Sequence, residues 1–368
     1  MSALHKCIKP NPTKSWTTKN SEVLLDNYID KDLQIMLLPL NFMQSLFITS
    51  KYQIRDNFIT PNGLMYNVVS FFATFFLISN WIYEFIITVL STGWGTFKSV
   101  FYINNTLTSV CYTSGYIFNY CINISKSENN IMLVLRIQKV LRTLRMNKHS
   151  FKSYIYYNWA YLIGLNVFYV VWVFWFSFII SWNNVHFLFM TLLLITFDMN
   201  MLYSIRIIKL MWMTVCQWID LTKASNLQFE DITCCNGVFD AFINILEAYK
   251  IICDVFQGYV SIYATVILVF LLMSICWLLK NIMLQVLLSL ETERLYIAMN
   301  EAISVLVLNT ISFTVAQRRM YKNIHRAYKT SFSKMRAYGL FTVDATLPLR
   351  SAGLISTYTI VLLQFAFL

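Results

Sequence analysis

Charge is what this chain has least of. Aspartate, glutamate, lysine and arginine make up 13% of its 368 residues, about half the share in an ordinary soluble domain. With 57% of residues hydrophobic and 17% aromatic, the polar surface is too small to cover a water-soluble globule of this length. Catalytic signatures are missing as well. No HExxH, GxSxG or phosphate-binding loop occurs. The four histidines, His5, His149, His186 and His325, have no second histidine or carboxylate at ligand spacing. The eight cysteines follow no metal pattern: Cys234 and Cys235 are adjacent rather than CxxC, and most others lie in apolar runs as small hydrophobes. The expectation is a protein that is not an enzyme and needs no cofactor or metal. No internal repeat or inverted pair of broken apolar segments marks a transporter. The opening residues are polar, so no cleavable signal peptide is expected and a later helix directs insertion.

What is present is a series of long apolar runs. Seven can span a bilayer: 64–90, 101–122, 155–181, 185–206, 259–280, 297–316 and 351–368. The run 33–50 is shorter and interrupted by Pro39, which removes a backbone hydrogen bond. It reads as an amphipathic or partly inserted helix. Placing the N-terminus inside puts loops 91–100, 182–184 and 281–296 outside, with Lys98, Lys280 and Arg294. The other 26 of the 29 lysines and arginines fall inside, as the positive-inside rule requires. Two acid-free clusters dominate this bias. One runs from Arg136 through Lys139, Arg142, Arg145 and Lys148 to Lys152, the other from Arg318 to Arg336. The net charge of +11 therefore reads as membrane orientation and not as nucleic-acid binding.

The fold class is thus an all-α membrane protein of seven transmembrane helices, N-terminus inside and C-terminus outside. Its segments are a cytosolic tail with an amphipathic helix (1–63), helices 1–4 (64–206), a cytosolic helical extension (207–258), helices 5–6 (259–316), a basic cytosolic segment (317–350) and helix 7 (351–368). The extension carries helical spacing at Val238, Phe242, Ile245 and Tyr249. With the basic segment it is expected to form a cytosolic bundle that holds subunits together. G-protein-coupled receptors have the opposite orientation, and their DRY and NPxxY signatures are missing. Asp198 and Arg206 lie eight residues apart on nearly one helix face and read as a structural pair. Of two glycosylation sequons, only the one at Asn104 lies near the outer side.

The final helix carries one polar stripe, Thr357, Val361, Gln364 and Leu368, with Tyr358 and Phe365 beside it. Lipid satisfies no amide, so Gln364 either bonds a neighbouring helix or faces water. Thr357-Tyr358, five residues, then Gln364-Phe365 matches the TYxxxxxQF signature of insect gustatory receptors, and the run from Gly339 onward resembles that family's last helix. Upstream the chain is similar in length and layout. The resemblance implies a homotetrameric, ligand-gated, poorly selective cation channel in the plasma membrane of a gustatory neuron. It implies one final helix per subunit at the pore, a gate near Gln364 and Phe365, and an intracellular anchor built from helix extensions. A ring of Gln364 amides could replace ion hydration, and a ring of Phe365 could close the path by dewetting. The resemblance also implies a small-molecule tastant pocket in the outer part of each subunit. The residues chosen for it are Trp175, His186, Trp277, Asn300 and Glu301, because small-molecule pockets combine aromatics with a few polar groups. Interfacial anchoring explains the same aromatics. Their excess favours a hydrophobic or bitter compound over a sugar. The competing class is a multi-pass transporter or lipid-modifying enzyme that uses His186 and the aromatic cavity.

Overall fold

The computed structural model describes residues 27–91, 110, 113–144, 148–180, 195–225, 232–270, 275–308, 315–337 and 341–367. Nearly all of them are helical. Helix α1 (Lys31–Leu46) buries Leu33, Met36, Leu37, Leu40 and Met43, one stripe at three- and four-residue spacing. Its opposite stripe, Ile35, Leu38, Phe42 and Leu46, is apolar and exposed. The helix is therefore apolar on both faces. Pro39 sits in its interior. A short antiparallel hairpin follows, β1 (Gln53–Arg55) and β2 (Phe58–Thr60). Its two-residue turn, Asp56-Asn57, has positive φ at both positions (52° and 67°), the backbone that twists two strands correctly and that aspartate and asparagine tolerate.

Helix α2 (Leu64–Ser91) and a helical stretch at 113–125 lead to α3 (Ser127–Leu144) and α4 (Lys148–Ile180). Three long helices come next: α5 (Ile195–Ser225), α6 (Ile232–Phe270) and α7 (Ile275–Leu308). At about 1.5 Å per residue each is roughly 45–60 Å long, more than a hydrocarbon core about 30 Å thick. Helix α8 (Val315–Ser331), a small hairpin of β3 (Arg336–Ala337) and β4 (Phe341–Thr342), and α9 (Leu347–Phe367) complete the chain. The main core lies where α3, α5, α6, α7 and α8 meet. Trp218 of α5 is fully buried against Phe242 of α6, with ring centroids 4.9 Å apart. Its indole N–H donates to the Val238 carbonyl at 3.0 Å. Tyr249 and Tyr296 close the cluster around Phe332. A second, smaller core joins Met43, Tyr116, Leu162, Tyr169 and Phe197.

One predicted boundary is corrected. An outer loop was expected at 281–296, but α7 runs through it as helix. The charges that lowered its hydropathy are neutralised within the protein. Glu291 meets Lys209 at 3.4 Å and Arg294 at 3.1 Å, and Glu293 faces Lys334 at 3.8 Å. Between them Leu284, Leu288, Leu295 and Tyr296 are buried. Lys280 and Arg294 are therefore partners of buried or half-buried acids and not outer-loop charges. Among the described residues no helix is long and apolar enough to cross a membrane. All the predicted spans except 64–90 contain residues outside the described set.

Candidate functional site

An apolar cleft opens between α4, α5 and α7. Helix α4 supplies Tyr157, Tyr161, Gly164, Leu165 and Phe168, a single stripe. Helix α7 supplies Lys280, Met283, Leu284 and Leu287, again at three- and four-residue spacing, and α5 adds Leu202. The cleft has a volume of about 640 Å³, within the range of small-molecule sites. Gly164 borders open space: an added Cβ there would find no heavy atom within 4 Å.

One wall of the cleft is ionic. Lys280 is paired with Asp198 of α5, their side chains 8% and 3% exposed. The Tyr169 hydroxyl donates to the same carboxylate at 2.8 Å. This arrangement pins α4, α5 and α7 together and leaves the cleft without net charge. Asp198 therefore does not pair with Arg206, which corrects the expectation. Arg206 donates to the Asn158 side-chain oxygen and lies over the rings of Tyr154 and Tyr161, at 4.7 and 5.3 Å. The eight-residue spacing does place both groups on one face, but each finds a nearer partner on another helix. The cleft can bind and orient a molecule.

A second polar centre was not foreseen. Lys51, between α1 and β1, is fully buried. Its ammonium donates to Asn200 Oδ1 at 2.6 Å, the Tyr259 hydroxyl at 2.8 Å and Asn123 Oδ1 at 3.2 Å. It also lies 4.2 Å from the centre of the Tyr259 ring and 5.1 Å from that of Tyr203. Burial pushes its pKa well below the usual lysine value. Asn200 extends the network to Asn119 at 2.8 Å, and Tyr259 extends it to Asn123 at 2.6 Å. The only sequence signal was a lone lysine at the end of an apolar run.

Helix α9 is sparsely covered, as α2 is. Its start is fixed by Asp344, whose carboxylate accepts from the Thr346 backbone at 3.0 Å and hydroxyl at 2.6 Å. Beyond that it lies against α7, where Gln285 donates to the Ser351 hydroxyl at 2.7 Å. Leu354, Tyr358, Ile360 and Val361 remain 38–56% exposed. Thr357 and Gln364 are exposed too. The Thr357 hydroxyl is bent back onto the Gly353 carbonyl at 2.9 Å. Phe365 lies in α9, with its side chain outside the described set, and Leu368 falls outside the described residues.

The expected ligand set is not brought together. Asn300 accepts from the Tyr328 hydroxyl of α8 at 2.6 Å, and Glu301 pairs with Lys223 of α5 at 2.8 Å. Trp277 stands near the other end of α7, about 35 Å away along the helix axis, so it cannot share a pocket with them. The expectation rested on a loop at 281–296, through which α7 runs as one helix. The Trp175 and Trp277 side chains, His186 and Asn104 lie outside the described set.

No protein-family model matches the sequence, and no curated protein matches it. Solved structures do. The insect olfactory receptor OR5 from Machilis hrabei aligns over 90% of this chain and 100% of its own, with a TM-score of 0.53 and 14% identity. At that identity the likeness speaks for the fold alone: the chain has the fold of an insect olfactory receptor.

Proposed function

We propose that the chain is one subunit of a ligand-gated cation channel, a chemoreceptor of the gustatory type that sits in the plasma membrane and assembles as a homotetramer. The observation that carries this reading is α9, an apolar helix with an amide and hydroxyls on one side that the rest of the subunit leaves largely uncovered. Such a helix needs cover on its apolar faces, and identical copies around an axis supply both the cover and a polar-lined path. The fold likeness to an insect receptor and the Thr357-Tyr358 and Gln364-Phe365 pairs support the same reading.

A membrane setting is supported by the outward rows of α2 and α4. Phe71, Phe72, Phe75 and Phe76 on one, with Val167, Val171 and Phe174 on the other, are all at least 49% exposed. An apolar surface this continuous marks a membrane or partner contact. The long helices α5, α6 and α7 then extend past the bilayer into the core they share with α8, which serves as the intracellular anchor.

The test is purified protein in planar bilayers, exposed to a panel of hydrophobic and bitter plant compounds and to sugars. Cation current evoked by one of them, through particles whose mass is four subunits, is the expected result. Turnover or transport of a compound without any current overturns the channel reading.

A further inference from the structure

We propose that the cleft where the start of α1 meets α3 and α4 holds the headgroup of an inner-leaflet phospholipid bearing a phosphate monoester, with the acyl chains along the outward face of α1. The inference rests on the membrane setting proposed above, and on neither the channel nor the tastant.

The level of the cleft follows from two helices read together. On α1 the exposed residues change from Lys31 and Asp32 to Ile35, Leu38, Phe42 and Leu46. On α4 they change from Lys152 and Ser153 to Tyr156 and Tyr157, and then to Ile163, Val167 and Val171. The Asn158 side chain donates to the Met36 carbonyl at 2.9 Å, so both changes fall at one height. Polar side chains that give way to tyrosines and then to aliphatic residues mark a membrane–water boundary. Lys31 lies about 6 Å before Ile35 along its helix, and Phe151 about 7.5 Å before Tyr156. That is the depth of a headgroup layer, which adds about 5–7 Å to each side of the hydrocarbon.

The headgroup class follows from the charges. The cleft has a volume of about 460 Å³, with apolar Leu33 and Phe151 and the exposed Lys31, Asp32 and Arg142 among its lining. Asp30 accepts from Nε and Nη2 of Arg142 at 2.7 and 2.8 Å, which fixes the guanidinium at the opening. Lys139 and Lys152 directly follow the lining residues Gln138 and Phe151. Lys31, Lys139 and Lys152 are exposed and make no ion pair among the described residues, whereas Lys126, Arg136, Lys209 and Lys223 each face an acid. Four cations against Asp30 and Asp32 leave a surplus of two positive charges. A phosphate monoester brings about 1.5 to 2 negative charges near neutral pH and matches that surplus; a zwitterionic headgroup does not. Basic clusters on the cytoplasmic side of a membrane helix attract anionic lipid for the same reason. The acyl chains then cover Ile35, Leu38, Phe42 and Leu46, which the rest of the subunit leaves exposed.

The probe is dioctanoyl phosphatidylinositol 4,5-bisphosphate, added to the full chain in detergent, with bound lipid counted by native mass spectrometry. It should bind more tightly than dioctanoyl phosphatidylcholine by about tenfold or more, and Lys31→Gln with Lys152→Gln should weaken it by a similar factor. Both side chains are exposed, so the lipid-free melting temperature of this double variant should match the wild type. Lys322→Gln with Lys329→Gln removes the same charge from the exposed side of α8 and should leave the affinity unchanged. Inositol 1,4,5-trisphosphate, the headgroup without its chains, should bind more weakly than the lipid by about tenfold or more.

Equal binding of the bisphosphate and phosphatidylcholine overturns the site. So does an affinity that Lys31→Gln with Lys152→Gln leaves unchanged, or that the α8 variant lowers as much. Equal binding of the trisphosphate overturns the lipid as occupant. Flotation with pure phosphatidylcholine vesicles separates this inference from its parent. A chain that floats without selecting the bisphosphate keeps the membrane setting and loses the site. A chain that does not float loses both the membrane setting and the lipid.

Discussion

Lys51→Met is the perturbation whose outcome the structure constrains most closely. Methionine keeps most of the length and volume of the side chain but removes the charge and all three donors. Asn123 Oδ1 retains the Tyr259 hydroxyl at 2.6 Å, and the Asn200 amide retains Asn119 at 2.8 Å. Asn200 Oδ1, 2.6 Å from the ammonium, is the acceptor left without this donor. An orphaned buried acceptor costs about 1–3 kcal/mol, and relief from holding a buried amine offsets part of that. The net loss of stability near neutral pH should therefore stay below about 3 kcal/mol. The pH dependence is the sharper readout. Burial lowers the folded-state pKa well below the ordinary lysine value of 10.5. Between those two values the unfolded chain holds a proton that the folded chain releases, so stability rises with pH through that window. It is lost as the pH falls, at up to about 1.4 kcal/mol per pH unit. In detergent-solubilised protein, the melting temperature of the wild type should climb with pH across this window, and Lys51→Met should remove one proton's worth of slope. Parallel wild-type and variant curves would refute the argument, because they would mean that the hydrogen bonds and the two rings keep the ammonium charged inside the fold.

Three further outcomes are expected. Asp198→Asn leaves the buried Lys280 without its carboxylate and should cost about 3–5 kcal/mol; the double variant Asp198→Leu with Lys280→Met should recover most of it in the same thermal assay. Trp218→Ala removes a fully buried indole and its bond to Val238, and should cost about 3–5 kcal/mol in denaturant unfolding. Phe365→Ala should produce leak or altered gating in cells, measured as resting conductance; unchanged ligand-evoked current at normal surface expression counts against this residue as the gate.

How far the chain could be read without coordinates depended on whether a residue's partner was near in sequence. The scarcity of charge, the apolar runs and the polar stripe of α9 are local properties. They follow from helix periodicity and the cost of burying unpaired charge, and they predicted a helical chain with a polar-striped last helix. Hydropathy failed where charge is paired at a distance. Glu291, Glu293 and Arg294 look like loop residues until Lys209 and Lys334 are seen beside them, so α7 was divided.

The same limit hid both buried polar centres. Nothing within a few residues of Lys51 announces Asn123, Asn200 and Tyr259, which lie 72, 149 and 208 positions away. Asp198 meets Lys280 across 82 positions instead of Arg206 across eight. The sequence by itself determined that this protein is helical, short of polar surface and carries a helix with one polar stripe, because those properties depend on composition and on the helix repeat. Only the tertiary structure decided which charges neutralise each other, where the apolar cleft opens and that Gln285 of α7 bonds Ser351 of α9, because Coulomb attraction and packing act through space and do not depend on chain order.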